Sequence, residues 1–148
     1  MMLAGCGTTV RMYPGPARGP NEVAVLQLGP DVGIFSIDGR SFDVEMVKQI
    51  ELLPGTHSVR AAYFKAPTQR AVVGGRLCLV GGFQSTVPLD LKFEAKAGRT
   101  YKLIGSLLPK TDAPEGKVEI EDTLTWQIVA SATGPARGIA APLQPVRP

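Results

Sequence analysis

Val87-Pro-Leu-Asp-Leu-Lys-Phe-Glu-Ala-Lys96 sets Val87, Leu89, Leu91, Phe93 and Ala95 in one alternate phase and Pro88, Asp90, Lys92, Glu94 and Lys96 in the other. Successive side chains of a strand point to opposite faces, so this period of two describes one core face and one wet face. Gly98 then turns the chain, and Thr100 to Leu108 returns with Tyr101, Leu103 and Leu107 in phase. Residues 87–108 are therefore expected to form an antiparallel hairpin. Upstream, Val23–Leu28 is a short β-rich run, and Gly33–Asp38 closes on Asp38-Gly39, a dipeptide suited to a tight turn. Residues 41–48 read as loop or one or two helical turns, and 49–53 as a strand entering Pro54-Gly55. His57 to Phe64 alternates, with Val59, Ala61 and Tyr63 on one face. Residues 65–76 read as a loop and Leu77–Val80 as a short buried strand. Val118 and Ile120 then alternate with Glu119 and Glu121, and Trp126–Ala130 closes the series.

These segments predict an all-β fold, an antiparallel β-sandwich of about seven or eight short strands, with an open barrel as the alternative. The chain divides into residues 1–6, a Pro/Gly-rich tether over 7–22, a sandwich over 23–132 and a disordered Pro-rich tail over 133–148. Its 148 residues suit one domain with tails, and 44% apolar with 20% charged residues is ordinary globular composition. The 17 Gly and 13 Pro favour turns and short strands over long helices. The net charge is +3, with cations scattered singly among acids and no basic run, which argues against a nucleic-acid partner. No apolar run is long enough for a membrane-spanning helix.

Leu3-Ala-Gly-Cys6 resembles the lipobox of bacterial lipoproteins, in which small residues precede the cysteine that takes the lipid. The resemblance implies cleavage before Cys6, acylation of its thiol and membrane attachment through acyl chains. Met1–Gly5 cannot hold the apolar core that export requires, so a longer leader is expected ahead of them. Gly7, rather than Asp, follows the acceptor, which favours the outer membrane with the domain facing the periplasm. A Cys6–Cys78 disulfide is the competing use of the same thiol.

Ile34-Phe-Ser-Ile-Asp-Gly39, followed by Ile50-Glu-Leu-Leu-Pro-Gly-Thr-His-Ser-Val-Arg60, resembles the PEGA-type β-domain pattern of a strand ending on Asp-Gly and a later Pro-Gly-x-His. Ala97–Tyr101, Trp126 and Tyr13–Pro16 are similar to segments of proteobacterial envelope lipoproteins, so the likeness spans residues 3–131. It implies periplasmic or surface display, with an envelope protein or glycan as partner, and no transferable catalytic residues.

Candidate chemistry is sparse. His57 is the single histidine and reads as a turn residue opening a strand rather than a general base or metal ligand. Cys6, Cys78 and His57 fall short of a four-ligand zinc set, so no metal or cofactor is expected. Cys78 between Leu77 and Leu79 reads as a small apolar residue, and Ser58 has no nucleophile elbow. Glu119 and Glu121 would stand about 7 Å apart on one strand face. That spacing suits paired acids but follows from any wet strand. Asp122 joins them as a third carboxylate. Gly74-Gly75 and Gly81-Gly82 read as hairpin or bulge glycines, and Tyr101 and Trp126 as core aromatics rather than sugar platforms. The expected function is a non-catalytic, lipid-anchored binding or structural module. The alternative is a periplasmic small-ligand carrier or hydrolase with a site near 65–86 and 115–122.

Overall fold

The computed structural model describes residues 8–41, 47–108 and 113–142. Their regular elements are all strands: β1 (Thr8–Arg11), β2 (Ala24–Leu28), β3 (Val32–Ile37), β4 (Arg40–Ser41), β5 (Val47–Leu52), β6 (Gly55–Lys65), β7 (Gln69–Val73), β8 (Arg76–Ser85), β9 (Leu89–Ala95), β10 (Thr100–Leu108), β11 (Glu115–Asp122) and β12 (Ile128–Pro142). They join one continuous sheet in the order β1-β5-β2-β10-β11-β12-β8-β6-β3-β4, with β9 on β6 and β7 on β8. Most pairs are antiparallel, while β1 with β5 and β2 with β10 run parallel. The all-β class read from the alternating segments holds. In place of two stacked antiparallel sheets, a single mixed sheet curls into a half-barrel, so that β10 and β11 face β6 and β9 across one core.

That core is filled by Leu26, Ile34, Ile37, Ile50, Leu52, Val59, Leu103, Val118 and Ile120, with Phe93 and Tyr101 in edge contact at 5.1 Å between ring centres. β9 alternates as read from Leu89 on, with Leu89, Leu91, Phe93 and Ala95 buried and Asp90, Lys92 and Glu94 exposed, but Val87, read in the same apolar phase, precedes the strand and is exposed. It does not form a hairpin with β10, however. β9 pairs with β6 from Ala61↔Leu89 to Gly55↔Ala95, and β10 lies between β2 and β11. At 96–99 the chain crosses from one leaf to the other, where the Lys96 N–H donates to the Tyr101 hydroxyl at 3.0 Å. Alternation specifies which face is buried, and a facing strand satisfies it as well as an adjacent one does.

The described parts of both flanking segments, 8–22 and 133–142, are more ordered than their composition suggests. Within the expected tether, β1 adds a parallel edge strand to β5, and Tyr13 is buried. The Tyr13 hydroxyl donates to the Glu51 carboxylate at 2.9 Å and accepts from the Arg18 N–H at 3.1 Å. Where a disordered tail was expected from 133, β12 continues to Pro142. Its small residues suit a strand that runs close over the core: a Cβ at Gly134 would come within 2.6 Å of Leu89 Cδ2. Leu3, Ala4, Gly5, Cys6, residues 42–46 and the last six residues lie outside the described residues.

The registers place the turns at 38–39, 53–54, 96–99 and 123–127 at one end of the half-barrel. Thr8 and the 29–31 turn lie at the other end. Beyond that second end projects an arm. β11 stops pairing with β12 at Glu115↔Pro135, and from Ala136 onward β12 pairs with β8, whose outer half carries β7. Residues 65–76, read as a loop, therefore contain an edge strand, and Leu77, read as buried, is exposed. Gly74 and Gly75 (φ +58° and +78°) make the hairpin turn. Gly82 sits at the root beside a register shift, where a Cβ would meet Pro67 N at 2.6 Å and Lys65 O at 2.7 Å.

Candidate functional site

The residues that carried the PEGA-type pattern meet in space. Asp38 occupies the β3–β4 turn in the left-handed region (φ +51°), and Gly39 follows at φ +82°. Asp38 Oδ1 accepts the Ser58 backbone N–H at 2.8 Å, and Oδ2 lies 2.6 Å from His57 Nδ1. His57 Nε2 lies 2.6 Å from the Leu53 carbonyl oxygen. The two halves of the pattern are thus two halves of a clasp joining the 38–39 and 53–54 turns. Partial burial pushes the Asp38 carboxyl up. The Ser58 N–H and the hydrogen bond and charge of His57 outweigh that and hold it below its ordinary value.

This geometry decides what His57 can do. Its side chain is 13% exposed, and both ring nitrogens are engaged within the clasp, one by a carboxylate and one by a backbone carbonyl. The concavity beside the clasp, about 370 Å³, is lined by Ser36, Ser41, Ser58, Arg60 and Asp90. Arg60 and Asp90 pair at 3.0 Å, and both are well exposed.

Two of the three candidate carboxylates of β11, Glu119 and Asp122, are separately engaged, while Glu121 is half-buried beside a register shift. Glu119 pairs with Lys117 at 3.1 Å. Asp122 is buried, paired with Arg99, and accepts the Leu124 N–H at 2.9 Å. Its backbone also holds the β11–β12 turn, donating to Gln127 O at 2.9 Å and accepting from Trp126 N at 2.8 Å. That turn corrects the reading of Trp126. Tyr101 is a core aromatic, but Trp126 is 75% exposed at φ +64°, beside exposed Leu124. Alternation could not place it, because a braced turn separates it from the strand phase that begins at Ile128.

Cys78 is a half-buried free thiol in β8, opposite Ala71. Segments 65–86 and 115–122 meet near Gly116, whose Cβ would lie 2.7 Å from Tyr63 Cβ and 2.9 Å from Ser85 Oγ. At this junction Ser85 Oγ accepts the Tyr63 N–H at 3.0 Å, and the arm leads away from it. Nearby, Phe35 and Phe64 flank an apolar notch of about 250 Å³ that Tyr63 and Gln84 also line. A register shift between Ile34 and Ser36 accompanies the outward placement of Phe35. Burial, and then the Asp31 charge, push the Tyr63 hydroxyl up. Among the described residues no group of three His, Cys, Asp or Glu side chains is placed to hold a metal.

No family model, curated protein or solved structure matches the chain.

Proposed function

We propose that the chain is a non-catalytic binding or structural module of the bacterial envelope, held by acyl chains on Cys6 at the outer membrane and facing the periplasm. The observation that carries this reading is the Leu3-Ala-Gly-Cys6 lipobox immediately ahead of the fold, with one residue, Gly7, between the acceptor and β1. Gly7 in place of Asp supports the outer-membrane address. The PEGA-type pattern supports periplasmic display, and its residues serve as a turn clasp, consistent with a scaffold rather than a reaction centre. Lipid attachment follows ordinary anchoring physics, with more than one chain needed for stable retention. The test is intact mass and membrane fractionation of the native gene product. The expected product begins at Cys6, carries acyl mass and leaves the membrane fraction in Cys6→Ala. An unmodified chain retaining Met1 overturns the anchoring.

A small-ligand carrier is the second reading. The notch between Phe35 and Phe64 favours it, as its walls are largely apolar with Gln84 and Ser85 as polar groups.

A further inference from the structure

The arm carries a charge pattern unlike the rest of the molecule. Residues 61–89 and 123–148 contain no Asp or Glu, and β7, β8 and the outer half of β12 are built from these two runs. The runs hold five cations, Lys65, Arg70, Arg76, Arg137 and Arg147, of which the first four lie among the described residues, where all are exposed and none has an ion-pair partner. With a whole-chain charge of +3, these five leave the rest of the sequence at 3 − 5 = −2.

The same arm exposes apolar side chains on both faces. Register and alternation put Arg70, Val72, Leu77 and Leu79 on one face and Val73, Arg76, Cys78 and Val80 on the other. Val72 is 71% exposed, Val73 53% and Leu77 48%, and no residue of β7 is buried. A three-stranded sheet with neither face covered is marginal in water. Two arms laid face to face would bring like charges together without an acid of their own to offset them, so self-association of this element is disfavoured.

We propose that the arm is a docking element for an anionic lipid surface. Its arginines meet headgroup phosphates, and Val72, Val73 and Leu77 enter the interfacial layer. Its position fits this role: the arm projects from the end of the half-barrel where β1 begins, and Thr8 is two residues from Cys6. The inference deepens the envelope reading but does not need the acyl chains.

The test uses the full chain as Cys6→Ala, free of lipid, with vesicles of phosphatidylcholine alone or mixed with phosphatidylglycerol. Binding to the mixed vesicles, absent on neutral ones and released by salt, is the expected result. Arg70→Glu/Arg76→Glu lowers that binding by about tenfold or more. Val72→Ser/Leu77→Ser lowers it with charge unchanged, while Lys92→Glu on exposed β9 leaves it within about twofold. Unchanged thermal unfolding shows that the arm variants remain folded. Equal binding by all variants, or no binding to mixed vesicles by the folded parent, overturns the inference. So does a parent dimer that the Val72→Ser/Leu77→Ser pair dissociates without any effect on vesicles. Failure to find acyl mass on the native product would sink the anchor reading and leave this result standing.

Discussion

His57 and Asp38 show polar side chains committed to holding turns together. The imidazole spans a carboxylate and a carbonyl at 2.6 Å each, so it is spent on fixing two turns at one end of the half-barrel. Because the folded-state Asp38 carboxyl is held below its ordinary value of 3.8, the clasp contributes fully above that value. Its contribution is lost as pH falls through the lower folded value. Urea midpoints measured across the acid range should therefore fall less steeply for Asp38→Asn than for the parent. Parallel acid limbs would show that the clasp carries no pH-dependent stability. Trp126 presents the opposite case, a large side chain held out in water at φ +64° by the hydrogen bonds around Asp122. An aromatic residue in the left-handed region costs about 1–2 kcal/mol, which glycine avoids while losing more chain entropy on folding. Trp126→Gly should raise stability by about 0.5–1 kcal/mol in denaturant melts. A loss of stability would mean that the indole makes contacts that its exposure does not suggest.

Close approach of backbone to backbone decides where the elements can pack. Gly105 in β10 lies under the 29–31 turn, donating its N–H to Pro30 O at 3.2 Å, and a Cβ there would collide with the Asp31 carbonyl oxygen. Gly33, in β3, has nothing within 4 Å of the corresponding position. Gly105→Ala should destabilise by about 1–3 kcal/mol, whereas Gly33→Ala should stay within about 0.5 kcal/mol. Similar values for the two would place the turn farther from β10 than the structure has it. β9 and the Val59-Ala61-Tyr63 face of β6 were legible in the sequence because burial on one face imposes a period of two. The neighbours of β9 were not legible, since a strand opposite it and a strand beside it ask for the same pattern. β7 was missed for a related reason: with both faces wet, Gln69–Val73 has no phase to read. β12 was hidden by its Ala, Gly, Ser and Pro content, which resembles a tail in composition while allowing the strand to pass close over Leu89. The clasp was legible as turn chemistry, but the bond between its halves needed the fold to bring residues 38 and 57 together.

Across the whole molecule, one end gathers hydrogen-bonded turns and the other extends an acid-free arm. A modest net charge of +3 conceals this division, because all the acids fall outside the two runs, 61–89 and 123–148, from which the arm is built. An average over 148 residues therefore gives a poor guide to the field that a surface would meet on the arm side. β12 is the member common to both parts, pairing with β11 along Ile128–Pro135 and with β8 from Ala136 onward. It acts as a mechanical splint. A pull on the arm along the strand direction loads the β11–β12 bonds together in shear, since they lie across the line of force. Tension from a surface gripped by the arm would thus pass into the half-barrel through a ladder that must slide as a unit, and not through a hinge that opens one bond at a time.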